Sequence, residues 1–199
     1  MRALTSRGQA SRGRIVEAAA CLMHLHGVSA TSVDQVLAHA GAGKSQFYHY
    51  FHTKDELVEA VLEFQAAAGE AEQAEILARA PGWDGIHAWL DAVVQSQRRT
   101  EYKGGCPIGS MAAELADRDP RLRNRLGEAF ERKRIALARR LEELRREGSL
   151  ATEADPEALS TFVIATLQGA LLLASTFKDE RPLEQSVEEA WSHLLSFRR

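Results

Sequence analysis

Apolar residues recur at three- and four-residue spacing along most of the chain, and no long segment alternates between apolar and polar residues. This spacing places apolar side chains on one face of an α-helix, whereas a half-buried strand needs alternation. Glycine and proline separate the periodic segments, and Asp119 and Asp155 each precede a proline, which is typical of a helix N-cap. The pattern therefore predicts an all-α fold of about nine helices, at roughly 9–26, 32–39, 43–49, 54–79, 83–101, 107–117, 120–147, 156–177 and 183–197.

The composition is that of a soluble globular protein. Of 199 residues, 45% are hydrophobic and 27% are charged, which is sufficient to bury a core without disulfides. No apolar run approaches the about 20 residues of a membrane span, and the first 20 residues hold four arginines but no apolar stretch of a secretory signal. The two cysteines lie in unlike contexts and indicate no disulfide framework. We therefore expect a cytoplasmic protein without membrane contact.

Charge is distributed unevenly along the chain. Residues 1–54 contain six basic and two acidic residues, a net charge of +4, whereas residues 55–199 contain nineteen basic and twenty-six acidic residues, a net charge of −7. A basic head on an acidic body favours a protein that presents one end to a polyanion. Chance scatter of charge along the chain remains the alternative.

Residues 31–55, TSVDQVLAHAGAGKSQFYHYFHTKD, carry the most specific pattern. Ser32 followed by Gln35 predicts a capping box at the start of a short helix, and Gly41 can adopt the left-handed conformation that ends it. A second short helix follows, with Phe47 and Phe51 placed to anchor it inward. Two short helices joined by a glycine turn are typical of a helix-turn-helix, which holds a recognition helix for the major groove of DNA.

The polar side chains of the second short helix suit contacts with DNA. Lys44 can bind a phosphate or a guanine edge, and Gln46 can pair with adenine through two hydrogen bonds. Ser45, Tyr48 and His49 can bond phosphates or bases, and Lys54 can bind the DNA backbone beside the start of the next helix. The predicted DNA-binding residues are Thr31, Ser32, Lys44, Ser45, Gln46, Tyr48, His49 and Lys54. An aromatic packing cluster with incidental polar residues is the alternative reading of the same pattern.

The stretch also resembles the N-terminal pattern of the TetR-type transcriptional regulators, over about residues 11–62. The matching segments are Thr31-Ser32, the apolar helix from Val33 to Ala40, Gly41, Lys44-Ser45-Gln46, Tyr48-His49-Tyr50-Phe51 and Lys54-Asp55-Glu56-Leu57. The resemblance implies a DNA-binding domain at 1–55, followed by an effector-binding and dimerisation domain at 56–199. It implies a repressor that binds a near-palindromic operator as a homodimer. Two residues depart from the family pattern: Gly43 stands where a serine often caps the recognition helix, and Ser45 replaces a common glycine.

The body of such regulators encloses a mostly apolar pocket, which would suit a small hydrophobic or aromatic effector. The helix predicted at 83–101 has a broad apolar face, and apolar residues of other helices can face it. The predicted effector-binding residues are Phe64, Trp89, Val93, Cys106, Met111, Phe130, Phe162 and Thr166. For each of them the alternative is ordinary core packing.

The last two predicted helices are unusually apolar, and in the resembling family two such pairs form a four-helix dimer interface. The predicted interface residues are Leu159, Val163, Leu167, Leu171, Val187, Trp191 and Leu194. The alternative is a helix pair that is wholly internal to one chain. A twofold dimer would place two recognition helices in successive major grooves.

Cys106 precedes Pro107 at the predicted start of a helix, where the helix dipole favours a thiolate. A redox- or electrophile-sensing repressor acting through Cys106 is therefore an alternative function, and a small residue at a tight helix start is the structural alternative.

Other classes of protein are disfavoured by the sequence. The seven histidines are not spaced as metal ligands with paired carboxylates, and no phosphate-binding glycine loop or nucleophile elbow occurs. We therefore expect no catalytic residues, no metal and no cofactor. A helical interaction module that has lost DNA binding is a further alternative, against which Lys44, Tyr48 and Lys54 argue.

Overall fold

The computed structural model describes residues 6–199; side chains are described from residue 8 onward. These residues form nine α-helices: α1 (Ser6–His26), α2 (Val33–Ala40), α3 (Lys44–Tyr50), α4 (Lys54–Arg79), α5 (Gly82–Arg99), α6 (Pro107–Leu115), α7 (Pro120–Arg146), α8 (Pro156–Phe177) and α9 (Arg181–Leu195). The all-α prediction is confirmed. Arg2 and the side chain of Arg7, two of the charges counted in the basic segment, lie outside the described residues.

The described residues divide into two compact units. The first extends to Ala67 and also contains Ser110–Leu126; the second contains Ala68–Gly109 and Gly127–Arg199. The domain boundary that the sequence predicts after residue 55 lies in the first turn of α4, a helix that continues without a break to Arg79. The division of the units therefore falls within α4, α6 and α7 rather than in linkers between helices.

In the first unit, α1 packs against α2 and α3. Its core is a set of fully buried apolar side chains from five helices, which include Ile15, Val36, Phe47, Leu57, Leu62 and Leu126. Burial of such side chains contributes about 1.5–3 kcal/mol each before the entropy of ordering is deducted. The short helices α2 and α3 are thus held by packing rather than by their own length, which would be too short for stability in isolation.

In the second unit, α8 packs closely against α9, and α5 also contacts α9. Buried side chains from α5, α7, α8 and α9 form one core, which includes Ile86, Leu90, Leu137, Leu141, Val163 and Leu194. Ala151 N–H donates to Phe197 O at 2.8 Å and Arg199 N–H donates to Ser149 O at 3.1 Å, so the end of the chain pairs with the segment before α8.

Helix α8 has the length and composition of a membrane span, with a mean hydropathy of 1.7 over its most apolar window. Eight of its residues are nevertheless buried within the second unit, and Asp155 caps its first turn by accepting N–H bonds from Glu157 and Ala158. These are properties of a core helix in a globular protein.

Candidate DNA-binding site

The start of α2 and the turn after it have the geometry that the sequence predicts. Ser32 Oγ accepts the N–H of Gln35 at 3.2 Å, and Gln35 Oε1 accepts the N–H of Ser32 at 2.8 Å. This reciprocal pair is a capping box, and it satisfies backbone donors that a helix start leaves free. Gly41 ends α2 with φ 60° and ψ 38°, in the left-handed region. That conformation turns the chain sharply toward α3.

Helix α3 is anchored on one face and exposed on the other. Phe47 and Phe51 are almost fully buried, and the guanidinium carbon of Arg12 lies 5.0 Å from the centre of the Phe51 ring. The opposite face exposes Lys44, Ser45, Gln46, Tyr48 and His49. Tyr48 is 60% exposed, although its ring makes an edge contact with Phe47. Five polar side chains are therefore presented to solvent from a helix whose aromatic anchors cannot move freely.

Two of these exposed side chains are engaged within the protein. Gly43 is the N-cap of α3 and supplies no side chain, and Gln46 Oε1 accepts its N–H at 3.0 Å. Lys44 Nζ lies 3.0 Å from Asp34 Oδ1 and 3.3 Å from Oδ2. Pairing of Gln46 with adenine through both Oε1 and Nε2 would require the hydrogen bond between Gly43 N–H and Gln46 Oε1 to open.

Thr31 and Lys54 support the α1–α2 turn instead of facing outward. Thr31 is 2% exposed and donates its hydroxyl to Gly27 O at 2.8 Å. Lys54 Nζ donates to Val28 O at 2.6 Å and is half-buried. The prediction that Thr31 contacts DNA is wrong because the side chain is buried, and the Lys54 ammonium is committed to this backbone carbonyl. Ser32 remains exposed, with its hydroxyl occupied by the capping box.

The same turn is held by a residue that sequence analysis missed. Glu114 of α6 accepts the N–H of Val28 at 2.7 Å and the N–H of Ser29 at 2.6 Å, and Arg118 donates to Ser29 Oγ at 2.9 Å. Burial raises the pKa of Glu114, but the hydrogen bonds from Ser29 and Val28 and the charge of Arg118 outweigh it, so the pKa is lowered. Because these partners are more than 80 residues apart in sequence, no local pattern could have indicated the contact.

Two family models match the chain. Residues 15–61 match the model described as "Bacterial regulatory proteins, tetR family", and residues 82–190 match "Tetracyclin repressor-like, C-terminal domain". The second match alone covers more than half of the sequence.

The chain belongs to the TetR family. An uncharacterised HTH-type transcriptional regulator of Mycobacterium tuberculosis is 31% identical to it over 180 residues, which cover 88% of this chain and 90% of that protein. The HTH-type transcriptional repressor DhaR of Mycobacterium sp. is 26% identical over 190 residues, with 92% of each chain covered. The crystal structure of a TetR transcriptional regulator from Chloroflexus aurantiacus is 28% identical, with a TM-score of 0.87 and 98% of each chain covered. The chain is therefore a DNA-binding transcriptional regulator of the TetR family.

The residues predicted to bind an effector are divided between the two compact units, and their role stays a prediction. Trp89 is buried in the core of the second unit, and Val93 and Cys106 are partly buried against that core. Phe130 lines a cavity of about 260 Å³ between α7 and α8, together with Ile164. Thr166 is half-buried on α8.

The remaining three predicted effector residues of this TetR-family chain are Phe64, Met111 and Phe162. Phe64 and Met111 belong to the first unit, Phe64 exposed and Met111 buried. Phe162 is exposed on α8, with its ring 4.8 Å from the ring of His193. Both rings are 41% exposed, and the part that Phe64 and Phe162 take in effector binding stays a prediction.

Cys106 lies just before α6 and is half-buried. Its Sγ accepts the N–H of Gly109 at 3.4 Å, which fits a small residue at a tight helix start. Cys21, which the sequence places within α1, is exposed.

The predicted dimer residues fill the core of their own subunit. Leu159, Val163, Leu167, Leu171, Val187 and Leu194 are buried in the core of the second unit, and Trp191 is partly buried against it. A side chain packed inside one chain has little surface left for another, so these six residues are poorly placed for an interface, whereas the partly exposed Trp191 stays a predicted interface residue. The exposed apolar residues of α8 are Phe162, Leu172, Leu173 and Phe177.

Proposed function

We propose that this TetR-family chain is a ligand-responsive transcriptional repressor. It binds a near-palindromic operator as a homodimer in the cytoplasm and leaves it when a small hydrophobic or aromatic effector binds. The observation that carries the proposal is the geometry of α3, whose polar face is exposed while its aromatic face is anchored in the core.

The DNA-reading residues in this proposal are those exposed on α3. Residues near the start of a recognition helix contact base edges, which favours Ser45 and Gln46 for bases and Lys44 for a base edge or a phosphate. Tyr48 and His49, near the other end of α3, supply hydrogen bonds to the backbone or to bases. Ser32 at the start of α2 is placed for a phosphate contact beside free helix N–H groups.

Homodimerisation through α8 is supported by its second apolar face. Four large apolar side chains of α8 are exposed, Phe162, Leu172, Leu173 and Phe177; the last three lie within six residues, and Leu172 is 65% exposed. Large exposed apolar side chains on one helix favour a partner, and a twofold contact between copies of one helix is the simplest closed arrangement. A dimer presents two α3 helices, which matches a site with two half-sites about one helical turn apart.

The effector proposal rests on the second unit, which contains most of the residues that match the C-terminal family model. Phe130, Ile164 and Ala165 give the cavity between α7 and α8 an apolar surface, and Glu131, Arg134, Thr161 and Gln168 place polar groups at its wall. An apolar surface with polar groups to orient a ligand is typical of sites for small organic molecules. Helix α6 begins in the second unit and continues into the first, where Glu114 holds the α1–α2 turn. The proposal therefore requires that effector binding alter α6, the helix whose residues are divided between the two units.

Repression, rather than activation, is favoured by the relative described as a repressor. A dimer seated on an operator excludes other proteins from that DNA without further contacts, so repression needs no additional surface.

The proposal is tested by incubating the purified chain with fragments of bacterial genomic DNA at two salt concentrations and sequencing what is retained. We expect enrichment of a near-palindrome and an affinity that falls steeply with salt, because phosphate contacts release counterions. Retention without sequence enrichment at either salt contradicts a specific operator. The enriched fragment then serves as the probe in a search for compounds that release the protein.

A further inference from the structure

Asp34 provides the only carboxylate between residues 31 and 50, the segment that forms α2, the turn and α3. It lies in the first turn of α2, and Lys44 is the first residue of α3. The turn at Gly41 brings the two together, so that Lys44 Nζ is 3.0 Å from Asp34 Oδ1. The Asp34 and Lys44 side chains are 71% and 72% exposed. The proposed recognition surface therefore carries an internal ion pair at the start of its own recognition helix.

An ion pair this exposed is weak, because water and salt screen it and because two flexible side chains must be held in one geometry. A DNA phosphate is a competing anion for the same ammonium. Lys44 can therefore bind a DNA phosphate by exchanging the carboxylate of Asp34 for it. The free-energy change of this exchange is close to zero, because one anion replaces another. Additional contacts decide whether it takes place.

We propose that Asp34 is a specificity-determining residue. When the chain is bound to DNA of arbitrary sequence, Lys44 stays paired with Asp34, and when it is bound to the operator, Lys44 leaves Asp34 and contacts the DNA. Non-specific binding is supplied almost wholly by phosphate neutralisation, so loss of one cation from that surface weakens it directly. On the operator, base contacts by the rest of α3 fix the helix in the groove, and Lys44 then exchanges Asp34 for DNA. This inference rests on the proposed placement of α3 in the major groove.

The test compares Asp34→Asn with the wild type on a random-sequence duplex and on the fragment enriched by selection, over a range of salt concentrations. Asparagine keeps the size of the side chain and removes its charge. We expect the variant to bind the random duplex several-fold more tightly, with a log–log salt slope steeper by about one, the value for one more phosphate contact. Affinity for the operator rises less, so the ratio of the two affinities falls.

Lys44→Met separates exchange from simple repulsion of DNA by Asp34. In the Lys44→Met background, Asp34→Asn should leave the salt slope unchanged, because no cation is freed. Glu17→Gln, which makes the same charge change at an exposed position of α1, is the control and should leave the ratio unchanged. An equal effect of Asp34→Asn with and without Lys44, or none in either background, overturns the inference.

Lys44→Met alone provides a second measurement that does not depend on the folding of the Asp34 variant. It should weaken operator binding more than random-duplex binding, because on the random duplex only the charge of the now unpaired Asp34 is added, whereas on the operator a contact of Lys44 with DNA is lost as well. An equal loss on both duplexes contradicts the inference. A wild-type chain that binds both duplexes equally would instead contradict the proposed operator-specific function, so the two failures are distinguishable.

Discussion

At the scale of single residues, the α1–α2 turn shows how much depends on a few long-range hydrogen bonds. Glu114 and Arg118 bond to Val28 and Ser29, and Lys54 donates to the Val28 carbonyl. These contacts satisfy backbone groups between two helices, where the chain has no regular partners of its own. They join residues 110–126 to the N-terminal helices in one compact unit.

We expect Glu114→Ala to destabilise the chain by about 1–2 kcal/mol, because two backbone N–H groups lose a charged acceptor and are left to water. Asp117→Ala, an exposed acidic position on the loop after α6, is the matched control and should change stability by less than about 0.5 kcal/mol. Urea denaturation of both variants checks the difference. Equal stability of the two would show that the Glu114 contacts contribute nothing measurable.

The contribution of Glu114 should also depend on pH. Its pKa in the folded chain is lowered from the ordinary value of 4.5, so the carboxylate is favoured by folding. The stability it adds is complete above that ordinary value and is lost as the pH falls through the lowered pKa. The difference in unfolding free energy between wild type and Glu114→Ala should therefore shrink as the pH is lowered from 6 toward 3. A difference that is constant over this range would contradict the assignment.

At the scale of elements, the α2–α3 turn depends on the conformation of one glycine. Gly41 has φ 60°, and a Cβ added there would meet no atom within 4 Å. The cost of Gly41→Ala is therefore backbone strain alone, about 1–2 kcal/mol. Gly43 also has open space around it but has φ −92°, so Gly43→Ala should cost less. Gly43→Ser adds a cap to α3 and should stabilise it by a few tenths of a kcal/mol. Thermal unfolding of the three variants tests this order, and a Gly41→Ala variant as stable as Gly43→Ala would contradict it.

The elements themselves could be predicted because their determinants are local. The capping box of Ser32 and Gln35 and the glycine turn are patterns of adjacent residues, and they are present as expected. The inward anchors Phe47 and Phe51 follow from helical spacing. The ion pair between Asp34 and Lys44 could not be predicted, because it depends on the angle at which the turn brings α3 to α2.

Helix α8 shows why burial could not be predicted from composition. It has one apolar face through Leu159, Val163 and Leu167 and another through Phe162 and Leu172. When both faces are apolar, sequence spacing identifies each face but not which one the rest of the chain covers. The sequence prediction chose the face that the subunit covers itself, and the structure leaves the other apolar face of the helix exposed.

At the scale of the whole molecule, the uncovered face of α8 predicts the oligomeric state. A charge at Leu172 would have to be desolvated in an interface, so Leu172→Glu should shift the chain from dimer to monomer. Leu25→Glu is the matched control, since Leu25 is an exposed apolar residue of α1 in the first unit. Light scattering after size-exclusion chromatography gives the mass of each. A Leu172→Glu variant that remains dimeric would exclude this face as the interface.

Dimerisation also bears on DNA affinity. Two linked half-site contacts bind far more tightly than one, because the second contact forms at a high effective concentration. The Leu172→Glu variant should therefore lose operator affinity even though α3 is unchanged. The Leu25→Glu control should keep both the mass of the dimer and the wild-type affinity for the operator.

The central claim, that the exposed face of α3 reads the operator, is tested most directly by the combined variant Ser45→Ala, Tyr48→Ala and His49→Ala. Alanine favours the helix, and Phe47 and Phe51 remain to anchor it, so the fold should persist, with a melting temperature lowered by only a few degrees through loss of the ring contact between Tyr48 and Phe47. The measurement is the ratio of affinities for the enriched fragment and for a scrambled duplex of equal length. We predict that the wild-type ratio is large and that the ratio for the variant is much smaller, with the remaining preference supplied by Lys44 and Gln46. A folded variant that keeps the wild-type ratio would contradict the account, because sequence would then be read by some other surface.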